Sequence, residues 1–138
     1  MLIKIPQEVI DLVEDRSSYN ILSTIEGNGS LFSGVRGRFL IVDSEKIGFC
    51  DVAQVKRKPH FKPDQKVALV VFNPPSFGYQ IYGTFFDYIT SGEVFDRQSK
   101  MMKEGPNNLI LEKMGVINVK EIYSYASKNR TEHGMRIA

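Results

Sequence analysis

The residue types able to do chemistry crowd into one stretch. Cys50 is the only cysteine and His60 is one of two histidines. Lys56, Arg57, Lys58, Lys62 and Lys66 lie in a connector at 52–66, between the strand-like runs 46–51 and 67–72. Cations held between two strands suit an anion: lysine and arginine neutralise phosphate, and backbone amides at a turn add donors. The same pattern also describes an ordinary solvated loop, and charge alone favours that second reading. Cys50 near His60 invites a nucleophile-and-base reading. A lone cysteine in a strand is ordinarily a small core residue, however, and His60 among lysines is a solvated side chain or a phosphate contact. The chain has no G-x-G-x-x-G and no G-x-x-x-x-G-K, and it lacks the usual ligands of a zinc site. Chemistry here would have to come from a cofactor.

Composition sets the frame for that stretch. The 138 residues suit one domain with one core, and 42% hydrophobic with 25% charged residues is ordinary for a folded chain. A net charge of +2 is too small to make nucleic acid or a membrane surface the expected partner, so any electrostatic function must be local. One cysteine excludes an intrachain disulfide framework. No run is long and apolar enough to span a bilayer, and the first residues lack a charged-then-apolar signal pattern. A cytoplasmic protein is expected.

The elements that must position the connector follow from periodicity. Residues 6–16 predict a short helix, with Pro6 at its start, Glu8 in its first turn, and Val9, Leu12 and Val13 on one face. Residues 19–26 alternate as a strand. Gly27, Asn28 and Gly29 make a hairpin turn, and 31–42 is the return strand, with Gly34 and Gly37 marking a bulge or a close backbone approach. A short strand at 47–50 follows. The continuous apolar run 67–72 predicts a strand buried on both faces. Residues 79–89 carry aromatics on both sides, which predicts a core on one face and a second surface, such as a subunit interface, on the other. Thr90 and Glu93 are spaced as a capping box for a helix whose apolar stripe (Val94, Phe95, Met101, Met102) has one break, at Gln98. Residues 116–123 read as the last strand. The segment 124–138 is read as a tail that frays or lies along a partner. About six strands without regular strand–helix alternation predict a mainly β protein, an antiparallel barrel with helices packed outside.

Taken together, the order and spacing of these segments resemble the pyridoxamine 5'-phosphate oxidase-like family of FMN-binding split β-barrels, over about residues 6–125. The resemblance rests on the hairpin at 21–29, on Ser33-Gly34-Val35-Arg36, and on Phe49-Cys50-Asp51 followed by Lys56. It also rests on the run Val67-Ala68-Leu69, on Gly78-Tyr79-Gln80-Ile81-Tyr82-Gly83-Thr84, on Gly92-Glu93-Val94-Phe95-Asp96, and on the end Val119-Lys120-Glu121-Ile122-Tyr123.

The resemblance implies a single six-stranded antiparallel split barrel, FMN as cofactor, and a homodimer with flavin sites at the subunit interface. Lys56 would bind the FMN phosphate, and Arg57 stands where relatives often carry a hydroxyl residue that contacts it. The backbone of Phe49, Cys50, Asp51 and Val52 would edge the isoalloxazine ring, with Ser33, Gly34, Val35 and Arg36 along its other flank. The implied activity is that of an FMN-dependent oxidoreductase or electron-transfer protein with a small-molecule or nicotinamide donor, and no catalytic side chain is assigned. The alternative is a flavin- or haem-binding module without turnover on the same dimeric barrel. One departure is local. Relatives carry a helix after the phosphate lysine, whereas Pro59 and Pro63 disfavour helix here and predict a turn or irregular link.

Overall fold

The computed structural model describes residues 3–74, 77–125 and 134–138. Its elements are α1 (Gln7–Glu14), β1 (Tyr19–Ile25), β2 (Leu31–Arg36), β3 (Phe39–Asp43), β4 (Lys46–Val52), β5 (Lys66–Asn73), β6 (Phe77–Ile89), α2 (Glu93–Glu104), β7 (Leu111–Tyr125) and β8 (Met135–Arg136). The strands form one antiparallel sheet in the order β2-β1-β5-β6-β7-β4-β3. β8 pairs with the end of β7.

The mainly β, helix-flanked architecture agrees with the sequence pattern, with local differences. The expected return strand is two strands. Residues up to Arg36 pair with β1, whereas those from Phe39 pair with β4, so Gly37 and Arg38 carry the chain from one end of the sheet order to the other. That split, with β8, turns the expected six strands into eight among the described residues. The last strand begins at Leu111, because Leu111, Lys113 and Met114 pair with β4 before the stretch that alternation alone reveals. Thr90 does not cap α2. Gly92 holds the N-cap position, at φ 104°, and no side chain caps the helix. Of the expected tail, Ser124 and Tyr125 belong to β7, and Ile137 and Ala138 pack on the core and bond Ile122 through the backbone. Residues 126–133 of that tail lie outside the described residues.

The sheet curls around one large core. Leu22, Phe49, Leu69, Ile81, Phe85, Ile117, Val119 and Ile122 point inward and are almost wholly buried. α1 closes one side with Val9, Leu12 and Val13, as its 3.6-residue period requires. A smaller cluster of Cys50, Phe95, Leu111 and Met114 joins α2 to β4 and β7 on the far side of the sheet.

The opposite face of β1, β2, β5 and β6 is bare. Val35, Ile21, Val70 and Gln80 form one cross-strand row, and Ser33, Ser23, Ala68 and Tyr82 form the next. The apolar run of β5 is therefore buried on one face only, with Ala68, Val70 and Phe72 half-buried on the other.

β6 and β7 approach closely at Gly83, which pairs with Val67 and Val119 beside a shift of register. A Cβ there would run into the carbonyl oxygen of Asn118, a backbone atom that cannot swing aside. Gly83→Ala should lower unfolding free energy by about 1–3 kcal/mol, read from urea denaturation, whereas Gly27→Ala, where a Cβ meets nothing, should leave the midpoint in place.

Candidate functional site

Burial of Arg36 organises the region where the barrel closes. Its Nη1 donates to Asp51 Oδ1 at 3.0 Å and to the Cys50 carbonyl at 3.3 Å, and the guanidinium carbon lies 5.3 Å from the Phe49 ring centre. Both side chains are sealed from water, at 8% and 1% exposure. The pair bridges the end of β2 to the end of β4, strands far apart in the hydrogen-bonded order. Nη2 of Arg36 and Oδ2 of Asp51 are buried without partners.

Beside this bridge lies a cleft of about 480 Å³. Phe32, Gly34, Val35 and Arg36 of β2 form one wall, and Cys50 and Val52 of β4 form the opposite one. Val55 and Arg57 come from the connector, Gln98 and Met102 from α2, with Leu109 and Arg38 completing the rim. The volume falls in the range of about 300–1,000 Å³ usual for small-molecule sites.

The connector that supplies Arg57 is irregular throughout, as Pro59 and Pro63 dictate, yet it is firmly held. Phe61 is 4% exposed and packs between Phe49 and Phe85 at ring distances of 5.3 and 5.2 Å. Its N–H donates to Tyr88 Oη, and the Asp64 N–H and the Gln65 carbonyl bond the Phe85 backbone. Lys58 turns away to the Val52 carbonyl and Glu112. Arg57 is left free to stack over Phe32, 5.8 Å from its ring centre, at the cleft wall.

The residues singled out from sequence thus separate. Gly34, Val35, Arg36, Cys50, Val52 and Arg57 come together around the cleft. Ser33 faces the bare side of the sheet, where its hydroxyl is 3.0 Å from that of Ser23. Phe49 and Asp51 point into the barrel interior. Lys56 is exposed on the connector, its Nζ 3.5 Å from the Ala53 carbonyl, and is not part of the cleft wall. Sequence reasoning missed Arg38, Met102 and Gln98. For Gln98 a signal existed, because it is the one polar break in the buried stripe of α2.

Cys50 is the small core residue expected. Burial pushes its thiol up to about 12, the Asp51 charge adds to the shift, and Arg38 and Arg36 oppose it. His60 is exposed and stacks near Tyr88, so it is no partner for that thiol. Among the described residues no three His, Cys, Asp or Glu side chains are grouped to hold a metal ion.

No protein-family model matches the sequence, and no curated protein is similar to it at the sequence level. Solved structures are similar. HupZ of Group A Streptococcus superposes with a TM-score of 0.72 over 97% of this chain and 99% of its own, at 18% identity. The fold is that of the pyridoxamine 5'-phosphate oxidase-like split barrels. An FMN-binding protein from Syntrophomonas wolfei subsp. wolfei gives a TM-score of 0.63 at 17% identity, over 86% of this chain and 84% of its own. An F420 reductase gives 0.59 at 18%, over 86% and 98%. At such identities the likeness concerns the fold.

Two outcomes test this geometry. Arg36→Met alone should cost about 3–5 kcal/mol in chemical denaturation by stranding Asp51, and adding Asp51→Leu should recover most of it. Because the folded Cys50 pKa is raised from 9.0 to about 12, its contribution to stability is complete below 9 and is lost as pH rises toward 12. Cys50→Ala should therefore show a flatter alkaline limb than the parent in pH-dependent unfolding, and the native thiol should resist a disulfide reagent at pH 8 until the chain unfolds.

Proposed function

We propose that this chain is an FMN-binding flavoprotein acting as a homodimer, an oxidoreductase or electron carrier with a small-molecule or nicotinamide partner. The observation that carries the reading is the composition of the cleft. Val52, Val55, Met102 and Leu109 offer apolar surface to a planar ring system, and Arg57 stands among them with its charge unpaired by any carboxylate of the described residues. An apolar slot with a cation on its wall matches a ligand with an aromatic body and a phosphate. Arg57 would meet the phosphate, with exposed Lys56 next in sequence as a second cation. Gly34 and the Cys50 backbone would let a flat ring lie close to β2 and β4. FMN, when bound, supplies the hydride or electron transfer. The protein's own residues bind it, orient it and shield it from water.

The dimer is supported by the bare face of the sheet. Leu31 is 80% exposed, and Ile25 and Tyr82 join it around a trough of about 570 Å³. An apolar sheet face of this extent is ordinarily covered by another surface, and a second copy of the same face can cover it by two-fold symmetry.

A second reading keeps the barrel and the ligand without turnover. It is favoured by the lack of a proton donor in the cleft: Cys50 holds its proton throughout the physiological range, and the other ionisable groups of the wall are arginines.

Purified protein mixed with FMN and desalted should keep flavin absorption bands. Arg57→Ala should weaken FMN roughly tenfold or more while leaving riboflavin, which has no phosphate, unaffected. Loss of bands from the parent protein on desalting overturns the FMN assignment. Steady oxidation of a nicotinamide cofactor would select the enzyme over the module, and sedimentation should give twice the chain mass, with Leu31→Glu, on the bare face and outside the cleft, shifting it to the single chain.

A further inference from the structure

Gln98 is the side chain in the cleft wall that folding alone does not explain. It lies on α2 between Phe95 and Met102, three residues after one and four before the other, on the face that packs toward Cys50, Leu111 and Met114. It is 6% exposed. Among the described residues its amide has no hydrogen-bond partner. Unlike Arg36 Nη2, Asp51 Oδ2 and Arg38 Nε, it is not sealed away from every cavity: Gln98 lines the 480 Å³ cleft and also a hollow of about 130 Å³ between β3 and α2. An amide in that position is costly, since it keeps only slight contact with solvent and gains no protein partner. Leucine or methionine would continue the apolar stripe without that cost.

We infer that Gln98 is a specificity-determining binding residue, whose amide recognises the polar edge of a planar heterocycle lying in the cleft. The inference rests on the flavin reading above and extends it to the ring. A glutamine amide presents one acceptor and one donor group in a plane. Its complement is a ring edge that carries a carbonyl next to an N–H, the arrangement of a lactam or an imide, and the isoalloxazine ring has such an edge. The smaller hollow cannot admit a tricyclic ring, so the larger cleft is where this recognition takes place. Arg57 on the connector wall takes the phosphate, and Gln98 on the helix wall reads the ring. The two contacts together fix which way round the ligand lies.

The test compares FMN with N3-methyl-FMN, which keeps the phosphate and the ring shape but lacks the N–H, on the parent protein and on Gln98→Leu. Melting temperature is followed alongside, and Gln98→Leu should melt at or above the parent. The parent should bind FMN about tenfold or more tightly than the methylated analogue, whereas Gln98→Leu should bind the two alike and bind FMN about tenfold less tightly than the parent. Gln98→Glu, which keeps shape and an acceptor but removes the donor, should fall between them and keeps the test open if the leucine variant folds poorly. Unchanged FMN affinity in both variants overturns the inference, as does an equal loss for FMN and its methylated form, which would make Gln98 a spacer. A parent protein that takes up neither flavin overturns the flavin reading itself, and this assignment with it.

Discussion

The barrel closes through a charge pair rather than through a continuous ladder of backbone hydrogen bonds. The sheet runs from β2 to β3 with free edges at both ends. Arg36, reaching from the last residue of β2 to Asp51 and to the Cys50 carbonyl, draws one end toward β4. A buried pair of this kind is not stabilising in proportion to its Coulomb attraction, because both ions have left water. What it supplies is registry. It fixes where β2 stops, and so where Gly37 and Arg38 turn the chain toward β3. It also fixes how wide the gap beside β4 remains, and that gap is the cleft.

The cleft is consequently a by-product of splitting the barrel. A fully closed barrel of this size would fill its seam with side chains. Here the pair stands beside the seam, and the connector that runs along it is anchored by Phe61 in the aromatic cluster of Phe49, Phe85 and Tyr88. The prolines that remove helix from the connector do not make it a loose loop. They leave Arg57 at the wall of the seam and send Lys58 elsewhere. The binding chemistry that this arrangement supports lies in local placement of a few groups, which is why a chain with a net charge of only +2 can present a cation to a ligand.

Much of this was legible in the sequence where one physical rule acted alone. Alternation placed β1 and most of β7, helical period placed both helices, and the paired prolines gave an irregular connector. The rest needed tertiary information. A strand broken at Gly37 looks the same in sequence as one bulged there, because the break arises from which neighbour each half pairs with. Alternation missed the first residues of β7, since Leu111 and Lys113 straddle a shift of register against β4. Val67 to Phe72 reads as buried on both faces, and the chain by itself buries only one. For the site, the residue types of β2 and the connector pointed to the right region. Spacing could not tell Arg57, stacked on Phe32, from Lys56 beside it, nor give meaning to a single polar break in a helix stripe.

The position of β7 governs how this molecule can be made. Among the described strands it makes the pairing of greatest sequence separation, with β4, formed some sixty residues earlier, and it also pairs with β6 just before it. Until it is synthesised, β4 and β6 each present an unpaired edge, and Ile117, Val119 and Ile122 are missing from the middle of the core. Long-range pairing of this kind is slow, and open edges invite pairing with other chains. On the ribosome the barrel must therefore remain incomplete until β7 has emerged, and the helix α2 that precedes β7 cannot complete its packing before β7 arrives. Newly made chains would depend on protection of those two edges from the synthesis of β4 and β6 until that of β7, a demand set by strand order and independent of any ligand.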